Sequence, residues 1–153
     1  MSDMSDGTNA PTIRRGDRVT PAEYRSLLAA IKWRPLEQED VEVAAALDAS
    51  WNVTARTSDG LLIGLARVLD DGVLYASVWD VIVRPEHQRG GIGRALFAAV
   101  LEQTAGRRLV SLVSTAAGEA LYRSVGFSET DGQSTALFRR APEPELPASD
   151  GIG

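Results

Sequence analysis

The sequence predicts a mixed α/β domain with elements in the order β-α-α-β-β-β-α-β-α-β. Three observations carry that prediction. The apolar residues change between helical and strand spacing along the chain. Two Asp-Gly turns, Asp59-Gly60 and Asp71-Gly72, separate apolar runs as hairpin turns do. A β-branched run, Val81-Ile82-Val83, leads into a glycine loop that opens a helix.

Residues 1–11 are rich in Ser, Asp, Gly, Asn and Pro and read as a disordered leader. Thr12 to Arg15 reads as a short first strand. Thr20-Pro21-Ala22-Glu23 is a helix start, with a threonine cap, a proline in the first turn and an acid where the helix dipole favours one. Tyr24, Leu27, Leu28 and Ile31 continue it at helical spacing, and Pro35 ends it. A second helix is expected from Glu37 to Asp48, with Val41, Val43, Ala44 and Leu47 on its apolar side. From Trp51 the period changes to two. Trp51, Val53 and Ala55 alternate with polar residues, as in a half-buried strand. Leu61 to Leu69 is a long apolar strand, and Val73 to Val83 completes a three-stranded meander. Ile92, Leu96, Ala99, Val100 and Gln103 mark a helix face, widened by Phe97 and Leu101, and Gly106 stops the helix. Leu109 to Val113 reads as a buried strand, Ala116 to Ser124 as a short helix and Ser134 to Arg139 as a last strand. The remainder, 141–153, is acidic, proline-rich and expected to be disordered. The domain is therefore expected over 12–140.

The chain has 153 residues and no cysteine. That is enough for one domain with a core, and it excludes a disulfide scaffold, a cysteine-ligated zinc site and a cysteine nucleophile. No metal is expected. No stretch approaches the roughly 18 apolar residues of a membrane span, and the polar N-terminus lacks a signal-peptide core. A cytoplasmic location is the expectation. The net charge of −5 equals the sum of Asp3, Asp6, Glu143, Glu145 and Asp150 in the two terminal segments, so 12–140 is formally neutral. Such a chain is a poor candidate for nonspecific binding of nucleic acid or for a polybasic membrane contact. The charge around the glycine loop has the opposite sign, from Arg84, Arg89 and Arg94.

The loop itself runs Glu86-His87-Gln88-Arg89 and then Gly90, Gly91 and Gly93. Glycines let the backbone approach a ligand closely and adopt φ > 0. A helix start leaves backbone N–H groups without intrahelical partners, and its dipole favours an anion. Together they suggest a phosphate or pyrophosphate cradle. A Walker A loop needs Lys and a hydroxyl after its last glycine, where this chain has Arg94-Ala95. A dinucleotide fingerprint beginning at Gly91 meets Leu96 at its sixth position and follows hairpin strands rather than a βαβ unit. The pattern that fits is Val83-x-Pro85, then Gln88-x-x-Gly91-x-Gly93. It resembles motif A of the GNAT superfamily of acyl-CoA-dependent N-acetyltransferases. A second segment, Ala120-Leu121-Tyr122-Arg123-Ser124-Val125-Gly126-Phe127, is similar to the family's A-x-x-[FL]-Y-x-x-x-G-F, although Ser114-Thr115-Ala116 stands where an Asn is usual. The resemblance covers Trp51 to Arg139 and more weakly Thr12 to Asp48. The strand around Trp79-Asp80 further resembles arylalkylamine-type bacterial and plastid members.

The resemblance implies a mostly antiparallel central sheet, splayed at the acyl-CoA site and flanked by about four helices. It implies acetyl-CoA as acyl donor and direct attack by an amine, with no covalent enzyme intermediate. The backbone amides of Gln88, Arg89, Gly90, Gly91, Ile92, Gly93 and Arg94 would hold the pyrophosphate, with Arg89 and Arg94 adding charge-assisted contacts. The strand Val81, Ile82 and Val83 would pair with the pantetheine arm through its backbone and polarise the thioester carbonyl. Tyr122 is the candidate general acid, because a phenol with a pKa near about 10 stays protonated at neutral pH. A core tyrosine bonded to a carbonyl is the alternative. Asp80 is the candidate to attract the ammonium or accept its proton through water. A carboxylate at the head of a buried strand also caps or bridges structure, and the sequence leaves both roles open. Glu86 and His87, the single histidine, are alternatives. Tyr24, Trp33, Trp51, Tyr75 and Trp79 are the aromatics near the expected amine pocket, and Trp51 and Trp79 are its candidate lining. The expected activity is acetyl transfer to the primary amine of a small molecule. A protein N-terminus or lysine is the alternative acceptor, and a non-catalytic acyl-CoA-binding module is the alternative class. The oligomeric state is open, a homodimer included.

Overall fold

The structure is a computed structural model that describes residues 10–129 and 132–142. The expected leader and acidic tail lie outside the described residues, except for Ala10, Pro11, Ala141 and Pro142. The chain divides into two compact units, one ending at Thr115 and one beginning at Ala116.

The first unit is built on five strands: β1 Thr12–Arg15, β2 Trp51–Arg56, β3 Leu62–Asp70, β4 Tyr75–Val83 and β5 Leu109–Leu112. They lie in the order β1-β2-β3-β4-β5. Neighbours run antiparallel as far as β4, and β5 runs parallel to β4. The helices α1 Pro21–Ala30 and α2 Asp40–Ala49 bury Tyr24, Leu27, Leu28, Val43 and Leu47 with Leu62, Leu65 and Ile82 of the sheet. Helix α3, Ile92–Gln103, packs on β2, β3 and β4. It lies on the other face: a Cβ added to Gly64 would stand 3.1 Å from both the Ile92 and Leu96 side chains. A side chain at this position would press on both, so glycine suits the close approach of α3 to the sheet.

Local chemistry explains where the helices begin. The Thr20 hydroxyl accepts from the Glu23 amide and the Glu23 carboxylate accepts from the Thr20 amide, each at 3.1 Å. This is the reciprocal cap that the sequence predicts. Glu39 and Glu42 form the same arrangement ahead of α2, so α2 starts at Asp40 rather than Glu37. With that start Val43 and Leu47 share the buried face, and Val41 turns out to solvent at 74% exposure.

Strand β2 departs from the half-buried reading, because Asn52, Thr54 and Arg56 are buried along with Val53 and Ala55. Each buried polar group has a partner, as burial demands. Asn52 donates to the Leu47 carbonyl at 3.0 Å and Thr54 to Asp17 at 2.7 Å. Arg56 pairs with both Asp17 and Glu23 and donates to the carbonyls of Gly60 and Arg18.

Strand β5 departs from the reading of a buried strand. Its residues alternate between exposed and half-buried, with Leu109 at 49% exposure. Among the described residues it pairs with β4 alone, from Tyr75↔Leu109 to Val78↔Leu112.

In the second unit, α4 spans Glu119–Ser124, later than the expected start at Ala116. Gly126, at φ +100°, follows its end. The strand expected over Ser134 to Arg139 is absent, and Leu137 and Phe138 are 88% and 68% exposed. A period-two pattern favours extended backbone, but a strand needs a partner edge. No strand lies among the described residues of this unit. Among the described residues no helix is long and apolar enough to cross a membrane.

Candidate active site

The site begins with a kink in β4. Arg67 pairs with Trp79 and Leu65 with Ile82, so Asp80 and Val81 together stand opposite Ala66. That is a bulge, which bends a strand and raises its twist. Asp80 absorbs it at φ +55°, a left-handed conformation that Asp tolerates better than most side chains. Pairing with β5 ends one residue before Trp79, so Trp79–Val83 have no strand on that side among the described residues. Here is the splayed edge that the sequence resemblance implies. Ile82 points into the core at 3% exposure, so its part in any edge contact is through its backbone.

The Asp80 side chain is held from two sides. Its Oδ2 accepts from the Tyr24 hydroxyl at 2.5 Å and from Arg67 Nη1 at 3.0 Å. The Arg67 guanidinium lies 5.4 Å from the centroid of the Tyr24 ring and also donates to Ser50 Oγ and the Ala46 carbonyl, at 3.1 Å each. The Asp80 and Arg67 side chains are each only 14% exposed. Both bonds to Asp80 end on Oδ2. Among the described residues Oδ1 accepts no side-chain or backbone hydrogen bond. Burial first, and then the Asp80 carboxylate, push the Tyr24 phenol far above its ordinary pKa. Tyr24 therefore acts as a donor, not as a base.

The loop follows directly. Arg84 donates to the Leu62 carbonyl at 2.8 Å and to Ser26 Oγ at 2.9 Å, so it ties β4 to β3 and α1. Pro85–His87 make a short 3-10 turn, and the Gln88 side chain donates to the Val83 carbonyl at 3.1 Å. Arg89 and Gly91 both adopt left-handed backbone, at φ +77° and +79°. Among the described residues, the amides from Arg89 to Arg94 donate to no protein acceptor; the first bonded amide is that of Ala95, to the Gly91 carbonyl. A Cβ built on Gly91 or Gly93 would meet nothing within 4 Å. Unpaired donors at a helix start, beside open space, are what an anionic ligand needs. Arg89 and Arg94 are exposed next to them, whereas the Ile92 side chain is buried in the core.

The remaining sequence candidates separate. Trp79 pairs with Arg67 and Trp51 with Val68. Adjacent residues of a strand point to opposite faces, so the tryptophans lie on opposite faces of the sheet. Trp79 lies on the face of Arg67, the residue that bonds Asp80, whereas the Trp51 ring stands beside Gly16. Among the described residues neither Glu86 nor His87 has a side-chain hydrogen bond to Asp80. Tyr122 is 8% exposed, and its ring meets that of Phe127 edge-on at 6.5 Å. Burial raises its pKa, which keeps the phenol protonated. Among the described residues no cluster of acids and histidine could hold a metal.

Spacing does not reveal the pairing of Tyr24 with Arg67, because Tyr24 reads as a helix position and an aromatic near the pocket and Arg67 sits inside an apolar run. The available signal was a lone arginine in a buried strand, which must find an acid.

Residues 50–129 match the family model described as an acetyltransferase (GNAT) domain. The chain is 31% identical over 126 residues to the GCN5-related N-acetyltransferase 1, chloroplastic, of Arabidopsis thaliana, covering 77% of this chain and 61% of the relative. It is 33% identical over 90 residues to the ribosomal protein bS18-alanine N-acetyltransferase of Escherichia coli K12, covering 49% of this chain and 58% of that one. The chain spans between half and two thirds of the length of the first curated relatives it matches. Among solved structures, a GNAT-family acetyltransferase of Streptococcus pneumoniae TIGR4 superposes with a TM-score of 0.71 at 28% identity, over 87% of this chain and 99% of that one.

Proposed function

The chain belongs to the GNAT acetyltransferase family, and from that premise we propose that it transfers an acetyl group from acetyl-CoA to the primary amine of a small molecule. The observation that carries the reading is the run of unpaired amides from Arg89 to Arg94, set beside glycines that face open space. These residues fit a pyrophosphate, and the open edge Trp79–Val83 fits the amide-bearing arm of the same molecule. When bound, acetyl-CoA supplies an acyl group already activated as a thioester.

The chain's own residues supply the rest. The amides of Arg89 to Arg94 bind the diphosphate, and the exposed guanidinium groups of Arg89 and Arg94 add charge. Backbone donors of the kinked strand polarise the carbonyl under attack. Asp80 Oδ1 receives the ammonium of the acceptor and takes its proton through water, because only a neutral amine is a nucleophile. Tyr122 returns a proton to the leaving thiolate; the Ala120–Phe127 segment and the burial of its phenol support that role.

A protein or peptide acceptor is the second reading. It is supported by the similarity to the ribosomal protein bS18-alanine N-acetyltransferase. The test is calorimetric titration with acetyl-CoA, with ATP and NAD as controls, followed by free-thiol release with small amines and with peptides. Micromolar binding of acetyl-CoA with thiol release from small amines supports the proposal. Release with peptides alone moves the acceptor to the second reading. Binding without release from any amine points to a non-catalytic module, and no binding removes the basis of the proposal.

A further inference from the structure

We propose that Tyr24 and Arg67 are positioning residues that act through Asp80. Together they form a clamp that holds the left-handed kink of β4 and so sets the open edge Trp79–Val83. The inference rests on the acyl-CoA reading of that edge.

The kink needs something to hold it. A non-glycine residue at φ +55° is in a sparsely populated conformation and persists only when its surroundings fix it. Asp80 has no register partner of its own in β3 and no strand on the β5 side among the described residues, so its backbone is held only through its neighbours in β4. The side chain provides the second anchor. Tyr24 reaches it from α1 and Arg67 from β3, the strand across the bulge. Arg67 is itself fixed to the end of α2 through Ala46 and Ser50. Two elements, α1 and β3, thus meet on one carboxylate oxygen, and α2 holds the arginine that does so. The other oxygen, Oδ1, accepts no hydrogen bond among the described residues, and the same clamp sets its direction. A core tyrosine bonded to an acid by chance would not account for both bonds landing on one atom of the residue that carries the strain.

The experiment compares the full chain with Tyr24→Phe, Arg67→Gln and Asp80→Asn. Tyr24→Phe keeps the buried ring and removes only the donor, so it is the variant expected to fold without difficulty. Two readouts are taken: acetyl-CoA affinity by calorimetry, and amide hydrogen exchange along β4. Tyr24→Phe and Arg67→Gln should each weaken acetyl-CoA by about three- to thirtyfold, the usual range for residues acting on a site through a neighbour. They should also accelerate exchange at Trp79–Val83 more than in β2 and β3. Asp80→Asn tolerates left-handed backbone but leaves the mostly buried Arg67 without its counter-charge, so it should weaken acetyl-CoA and accelerate exchange at Trp79–Val83 as the clamp variants do. Unchanged affinity in both clamp variants, or faster exchange spread evenly over the sheet, would overturn the proposal. If the unmodified chain does not bind acetyl-CoA, the proposed function falls and the exchange pattern alone decides the clamp.

Discussion

Gly93 separates folding from ligand binding. It lies at the second position of α3 with ordinary helical backbone, and a Cβ there would meet nothing within 4 Å. Gly93→Ala should therefore raise stability, by a few tenths to about 1 kcal/mol on helix propensity. The same methyl enters the space that the unpaired amides face and should weaken acetyl-CoA at least about tenfold. Thermal unfolding and calorimetry on one sample check both halves. A more stable variant that binds as well as before would mean the loop is only a turn. Gly118 makes the complementary case. A Cβ there would stand 2.8 Å from Tyr122 Cε2 and 3.3 Å from its hydroxyl, with no backbone obstacle. Gly118→Ala should displace the phenol and lower turnover about as much as Tyr122→Phe does. If both variants turn over normally in the thiol-release assay, Tyr122 is not the acid. The glycines and Tyr122 were legible in the sequence because the constraint on each is local. The partnership of Asp80 with Tyr24 and Arg67 was not, because it joins residues 56 and 13 positions apart.

Among the elements, β2 shows why a local pattern misleads. Its polar residues read as a solvent face, yet Arg56 is 6% exposed. What covers that face is the loop before α1 and the first turn of α1, which present Asp17 and Glu23. Arg56 hydrogen bonding is the largest influence on Glu23 and holds it below the usual carboxylate range. Partial burial would raise Asp17, but bonds from Arg56 and then Thr54 outweigh it and hold it low as well. Depressed carboxylates contribute stability above their unfolded pKa, near about 4, and lose it as pH falls through their folded values. Stability should therefore drop below about pH 4, and replacing Arg56 should flatten that drop. Arg56→Met should also cost about 3–5 kcal/mol near neutral pH, since it leaves two acids facing each other without their cation. Denaturant unfolding at several pH values measures both effects. A variant with the parent's acid dependence would place the source of that dependence elsewhere. The same gap between local and non-local information explains β5 and Ser134 to Arg139. Alternation identifies an extended segment, but which edge it meets is decided by residues far away in sequence.

For the whole molecule, element order and the two glycine-bearing motifs were enough to reach the family, because they depend on short-range spacing. What spacing could not supply was the meeting of the loop with an open strand edge. That meeting distinguishes this cradle from other phosphate loops. Strand β4 enters the loop antiparallel to β3 and loses β5 after Val78, so amides of the loop and a strand edge unpaired among the described residues follow one another along the chain. A ligand that uses both must carry a diphosphate and an extended amide-bearing arm. ATP and NAD carry phosphates without the arm, so they offer the edge Trp79–Val83 nothing to pair with. Acetyl-CoA at about a hundred times its dissociation constant should stabilise the chain by about 2.7 kcal/mol, a rise in Tm of about 5–10 °C. ATP and NAD at the same concentration should leave Tm unchanged, and Gly93→Ala should abolish most of the acetyl-CoA shift. Equal shifts with all three ligands would mean that phosphate recognition at the helix start is the whole of the binding. The edge at Trp79–Val83 would then have no part in it. A shift with acetyl-CoA alone requires loop and edge together, and so ties the kink at Asp80 to the acyl donor.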